Sequence, residues 1–188
     1  MKKKPYVICV GGGTCSGKST LTAALCEKLS DLSVRLVNMD TYFIRPPKMT
    51  TAPITGKEYP EFNHPDALDK NRMFADFGAA AEDETLDVLM IEGLFALWMP
   101  ELYEKADLRV FVDLKSDERL VRRIKRHLER GDTYDEITSR YLDTVRYRHE
   151  EFVEPTRWRA DLVVNGTLAG KETDILETYI RAKIGEKA

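Results

Sequence analysis

The decapeptide "GGGTCSGKST" (11–20), entered directly from the apolar run "YVICV" (6–10), leaves few folds open to this chain. Gly12-x-x-x-x-Gly17-Lys18-Ser19 fits the phosphate-binding loop pattern, whose chemistry requires a strand leading in and a helix leading out. Both flanks have that character. Tyr6–Val10 is continuous, apolar and partly β-branched, as in a strand buried on both faces. From Lys18 the pattern changes, and Leu21, Ala24, Leu25 and Leu29 recur at helical spacing. The nucleotide-binding set expected of such a loop is Gly12, Gly13, Thr14, Cys15, Ser16, Gly17, Lys18, Ser19 and Thr20. Glycines let backbone N–H groups converge on phosphate oxygens, the helix N-terminus adds positive potential, Lys18 reaches the terminal phosphates and the Ser19 hydroxyl ligates Mg²⁺. The rival dinucleotide fingerprint fails, because Ser16 stands where its last glycine is needed. The loop therefore predicts a nucleoside triphosphate with Mg²⁺.

Further strands are expected at "VRLVNMD" (34–40), "LDVLMIEG" (86–93), "LRVFVDL" (108–114) and "ADLVVNG" (160–166), with a terminal helix from about Glu172 to Lys183. Strands alternating with helical stretches predict a doubly wound α/β fold, a five-stranded, mostly parallel sheet flanked by helices. Ligands of such sheets gather at the carboxyl ends of the strands, where Gly11, Asp40, Glu92 and Asp113 fall. A single domain over 1–188 suits the length, with a proline-rich, aperiodic stretch at 41–66 expected to be an irregular acceptor-binding loop.

Bulk properties exclude several classes. With 29 Lys and Arg against 32 Asp and Glu, the net charge of −3 argues against a general nucleic-acid binder. Three cysteines without a C-x-x-C pair read as reduced thiols of a cytoplasmic protein. The apolar stretch after "MKKK" is too short for a secretory leader, and "VLMIEGLFALWM" is broken by Glu92 and Gly93, so no membrane span is expected. A GTPase would need N-K-x-D, which is absent, and the isolated "DFG" at 76–78 has no companion protein-kinase motif.

The segment "RLVRRIKRHLER" (119–130) points to phosphoryl transfer. Arg119, Arg123, Arg126 and Arg130 form one helical stripe beside a second, apolar one of Leu120, Val121, Ile124 and Leu128. The expectation is a lid (about 116–135) that docks by its apolar stripe and presents arginines to a transferring phosphoryl group. Asp40, after the second strand, is the candidate base.

These features together resemble the uridine kinase and phosphoribulokinase group of P-loop kinases. "GGGTCSGKST", "NMDTYF", "EFNHPDALD", "VLMIEGLFAL", "VFVDLKSDERLVRRIKRHLERG" and "EEFVEPTRWRADLVV" match in the family's order over most of the chain. The resemblance implies transfer of the γ-phosphate of ATP to a hydroxyl of a small ribosyl-type acceptor. It makes Asp40 the base, with Lys18, Arg123 and Arg126 as its catalytic company. Ser19 and Glu92 then form the Mg²⁺ environment, and Tyr42, Phe62, Asn63 and Arg140 the acceptor contacts. Departures gather at the acceptor end. Asn63 replaces a ribose-gripping carboxylate, Arg140 replaces a glutamine, and Asp132 replaces an arginine. Too few residues separate "HPDALD" from "LDVLMIEG" for the family's base-reading hairpin. Uridine-kinase-like transfer stands first. Transfer to another riboside such as nicotinamide riboside, or to a phosphosugar, and a P-loop regulatory protein without efficient transfer, are the alternatives. Self-association is left open, and no nucleic-acid or membrane partner is expected.

Overall fold

A computed structural model describes residues 4–167 and 170–187. The chain runs β1 (Tyr6–Gly12), α1 (Lys18–Lys28), β2 (Val34–Asn38), β3 (Met49–Thr51), β4 (Glu58–Pro60), α2 (Lys70–Ala81), β5 (Val88–Glu92), α3 (Pro100–Tyr103), β6 (Leu108–Asp113), α4 (Ser116–Leu128), α5 (Tyr134–Arg140), α6 (Arg146–Arg148), β7 (Leu162–Asn165) and α7 (Lys171–Lys187). Five strands form a parallel sheet in the order β2-β5-β1-β6-β7, and β3 and β4 form a separate antiparallel hairpin.

β1 lies between β5 and β6, and all seven of its residues are buried. Its alternating side chains serve opposite layers, as a central strand requires. Val7 and Cys9 join Leu89, Ile91 and Phe111 under Met73 and Phe77 of α2 and under Phe152. Tyr6, Ile8 and Val10 join Met90 and Val110 under Leu21 and Leu25 of α1 and Leu176 and Ile180 of α7. Helices thus cover both faces, the doubly wound arrangement expected from the sequence. No described helix is long and apolar enough to cross a membrane.

Two expectations are corrected. The stretch 41–66 is not wholly irregular, because Met49–Thr51 and Glu58–Pro60 pair as a short hairpin. Its strands are three residues each, too short for alternation to be read against five prolines nearby. The second strand stops at Asn38, and Asp40 lies in the tight helical turn Met39–Tyr42 that follows. The Asn38 side chain begins that turn by accepting a hydrogen bond from the Asp40 N–H at 2.8 Å.

Candidate functional site

Strand β1 delivers the loop to the carboxyl end of the sheet, between the ends of β5 and β6. Gly12 has φ +137, and a Cβ there would stand 2.4 Å from the Val112 carbonyl oxygen of β6; the loop leaves the sheet through a conformation and a gap that only glycine fits. Lys18 folds back over the loop, its buried ammonium donating to the Gly13 carbonyl at 2.8 Å. Burial pulls its pKa down, opposed by the carboxylates of Glu92 and Asp40.

Glu92, the last residue of β5, is buried beside it. The Ser19 hydroxyl donates to its two carboxylate oxygens at 2.8 and 3.1 Å, and the Asn38 amide donates at 3.0 Å. Burial raises the Glu92 pKa, while Ser19 and Lys18 hold it down and Asp40 adds to the rise. A hydroxyl and a buried carboxylate are hard-oxygen donors of the kind Mg²⁺ takes when substrate phosphates complete its shell. Among the described residues no group of three or more His, Cys, Asp or Glu is placed to hold a metal ion. Ser19 and Glu92 would hold the ion, whose charge would stabilise phosphate oxygens.

The lid does not dock by its apolar stripe alone. Arg119 and Arg123 of α4 are buried at 4% and 6% exposure, whereas Val121 and Leu128 are exposed at 53% and 48%. The reason is what lies beneath. The helix meets the polar loop and a backbone carbonyl through Arg119 and Arg123, while Leu120 and Ile124 are half-buried and Arg126 and Arg130 stay exposed. Arg119 Nε donates to the Leu114 carbonyl at 2.9 Å, and Arg123 and Arg126 reach the Thr14 hydroxyl at 3.3 and 3.4 Å. Burial, then the facing Arg140, push the Arg123 guanidinium down to about 10. It stays protonated at neutral pH.

Buried side-chain atoms without a hydrogen-bond partner cluster here. Among the described residues they are Ser16 Oγ, Arg119 Nη1, Arg123 Nε, Arg140 Nε, His149 Nδ1 and Glu172 Oε2. The first three belong to the loop and the lid helix above it. Native proteins rarely leave such groups unpaired, and a polyanion on the loop would meet this demand. Arg123→Ala and Arg126→Ala should each lower kcat about 10- to 100-fold with a smaller change in ATP affinity, because these donors count most when charge spreads in the transition state. Steady-state kinetics at saturating acceptor checks the split; weakened ATP binding alone would remove the lid from catalysis.

A cavity of about 520 Å³ joins the loop to the acceptor end, lined by Lys18, Ser19, Glu92, Arg123 and Arg126 and also by Asp40, Phe62, Asn63 and Arg140. Phe43 and Phe62 meet edge to face at 5.2 Å between centroids. Asn63 is held from behind, its N–H donating to buried Glu61 at 2.7 Å while Arg148 pairs with that carboxylate at 3.1 Å. Tyr42 does not join them. It belongs to the core under α2, its hydroxyl donating to Asp76 at 2.9 Å with Arg72 5.0 Å above its ring. The family resemblance put it in the pocket, but the turn that carries it points the ring into the sheet's apolar layer. Sequence reasoning missed Asn38, Phe43, Arg45, Arg122 and His127 on the lining. Arg122 lay in plain sight, outside the stripe of four. A second cavity of about 450 Å³ opens between the hairpin and the lid, sharing Arg123, His127 and Arg140 with the first.

His149 lies in a wide-turn helical segment (His149–Val153) beneath the loop. Burial, then Arg119 and Lys18, lower its pKa to about 3. The Glu154 carboxylate at 3.2 Å favours the imidazolium, but it is 49% exposed while the ring is 13% exposed. The buried side wins, and a neutral ring donates to Glu154. The folded pKa lies below the unfolded value, so the unfolded chain takes up the extra proton first. Stability contributed by the neutral ring is intact above about pH 6.5 and is lost as pH falls toward 3. At most about 2 kcal/mol should go between pH 7 and pH 5. Denaturant unfolding across that range should show a flatter profile for His149→Asn; equal slopes would mean the ring is charged when folded.

The family model described as phosphoribulokinase / uridine kinase matches residues 56–171. A uridine kinase of Lactococcus lactis subsp. lactis is 30% identical, the match covering 98% of this chain and 100% of that one. One of Latilactobacillus sakei subsp. sakei is 31% identical over 96% and 95% of the two chains. A solved structure described as a fructose transport system kinase from Silicibacter sp. superposes with a TM-score of 0.63 at 17% identity, covering 85% of this chain and 89% of that one, a likeness of fold.

Proposed function

The chain belongs to the phosphoribulokinase / uridine kinase family and is a small-molecule kinase, and from that premise we propose that it moves the γ-phosphate of ATP to a hydroxyl of a small ribosyl-type acceptor, with Mg²⁺ as cofactor. The observation that carries the reading is the continuous cavity from Lys18 and Ser19 to Asp40 and Asn63. It brings a triphosphate site and a hydroxyl-binding site within one space. The curated relatives are uridine kinases, which favours a riboside over an unrelated alcohol.

In this mechanism the acceptor hydroxyl lies against Asp40, whose carboxylate takes its proton as the oxygen attacks the γ-phosphorus. The bond from that phosphorus to the bridging oxygen breaks, and its electron pair leaves with ADP. Lys18, Arg123 and Arg126 face the charge that spreads over the transferring group. Phe43 and Phe62 wall the acceptor side, and the lid excludes water that would otherwise take the phosphoryl group. A coupled assay of ADP release across nucleosides, other ribosides and phosphosugars tests this. ADP release should rise well above the rate with ATP alone for at least one riboside. A rate that no acceptor changes would overturn it.

A further inference from the structure

Charge along the main cavity is lopsided. Lys18, Arg45, Arg122, Arg123, Arg126, Arg130 and Arg140 face it against only Asp40 and Glu92. The triphosphate end accounts for the cations on the loop and the lid helix. Arg140 belongs to α5, beyond that helix, and stands between the two ends, with Arg123 on one side and the Phe62 ring on the other.

Arg140 is partly buried and makes no ion pair among the described residues. One nitrogen, Nη2, donates to the Pro60 carbonyl at 2.7 Å, the guanidinium lies 5.4 Å from the Phe62 ring centroid, and Nε is buried without a partner. The two carboxylates within electrostatic reach, Asp132 and Glu61, are committed elsewhere. Asp132 holds His127 at 2.7 Å, and Glu61 holds Arg148 at 3.1 Å and the Asn63 N–H at 2.7 Å. A role limited to tying the hairpin to α5 would use one donor of five, and a neutral amide could serve it without desolvating a charge. A guanidinium desolvated at a cavity wall, with donors to spare and no counter-ion, is a site for an oxyanion.

We propose that the acceptor carries an anionic group, phosphate or carboxylate, that seats against Arg140 while its reactive hydroxyl faces Asp40. This rests on the transfer reading above. Asn63, a neutral amide adjoining Arg140, suits such an acceptor better than a second carboxylate, which would repel it. Phe62 supplies a flat apolar wall, and the second cavity, which Arg140 also lines, gives the acceptor's remainder room.

The test compares acceptors that share a free primary hydroxyl. Orotidine and nicotinate riboside carry a carboxylate, uridine 3′-phosphate carries a phosphate, and uridine and nicotinamide riboside carry no anionic group. Wild type should show kcat/KM higher by roughly 10- to 100-fold for at least one anionic compound over its uncharged counterpart, and whether carboxylate or phosphate gains identifies the group. Arg140→Gln, which can still reach the Pro60 carbonyl, should erase that ratio, and Arg140→Lys should keep much of it. Thermal shifts with a non-hydrolysable MgATP analogue verify that each variant retains its nucleotide site. If uridine or nicotinamide riboside is preferred and Arg140→Gln leaves the ratio unchanged, the anionic acceptor is wrong while riboside transfer stands. If no riboside of either kind drives ADP release, both readings fall together.

Discussion

Asp40→Asn should cut phosphoryl transfer by roughly 10²–10⁴-fold, the span of general-base assistance, while ATP still binds. The substitution keeps size and shape, and the Asp40 N–H stays anchored on Asn38 at 2.8 Å, so the turn that carries the residue has no reason to move. What disappears is the ability to accept a proton. The carboxylate lies on the cavity that also holds Lys18 and Asn63, where the proposed transfer puts the reactive hydroxyl. Rapid-quench turnover with the best acceptor, beside a thermal shift by MgATP, separates the two effects. Near wild-type turnover would remove Asp40 from the chemistry.

Lys18→Ala should be nearly as costly, on the order of 10²–10³-fold in kcat, the scale for losing one preorganised charged donor at a developing oxyanion. In the structure the ammonium rests on the Gly13 carbonyl at 2.8 Å, so it is poised over the loop and turns to the phosphates with little chain rearrangement. Burial has already lowered its pKa, which means that it has lost water and gains strongly from an anionic partner. The fold should survive, since α1 is held to the sheet by Leu21 and Leu25. A stable variant with unaltered kcat would refute the loop's role.

How legible was this in the chain itself? The sheet was largely so, because buried parallel strands read as unbroken apolar runs, and the two most apolar, Tyr6–Gly12 and Val88–Glu92, are buried throughout. The phosphate end was legible too, because a loop of consecutive residues carries most of it. The acceptor end was not, for it is assembled across distance. Arg140 meets the Pro60 carbonyl 80 residues away, and Arg148 reaches Glu61 across 87. No local period encodes such pairings. The lid misled for a different reason. An amphipathic pattern tells which two faces a helix has, and the usual rule buries the apolar one. Here part of the surface beneath α4 is a polar loop, which takes Arg119 and Arg123 and leaves the apolar stripe only half covered.

The loop at residues 11–20 is not finished by its own neighbourhood. Gly166, just past β7, lies so close that a Cβ there would stand 1.8 Å from the Ser16 carbonyl oxygen, and Arg122 Nη1 donates to the Gly166 carbonyl at 3.1 Å. A loop written in consecutive residues is thus closed by a glycine far along the chain, and its shape depends on β7 and α4 being docked on the same sheet.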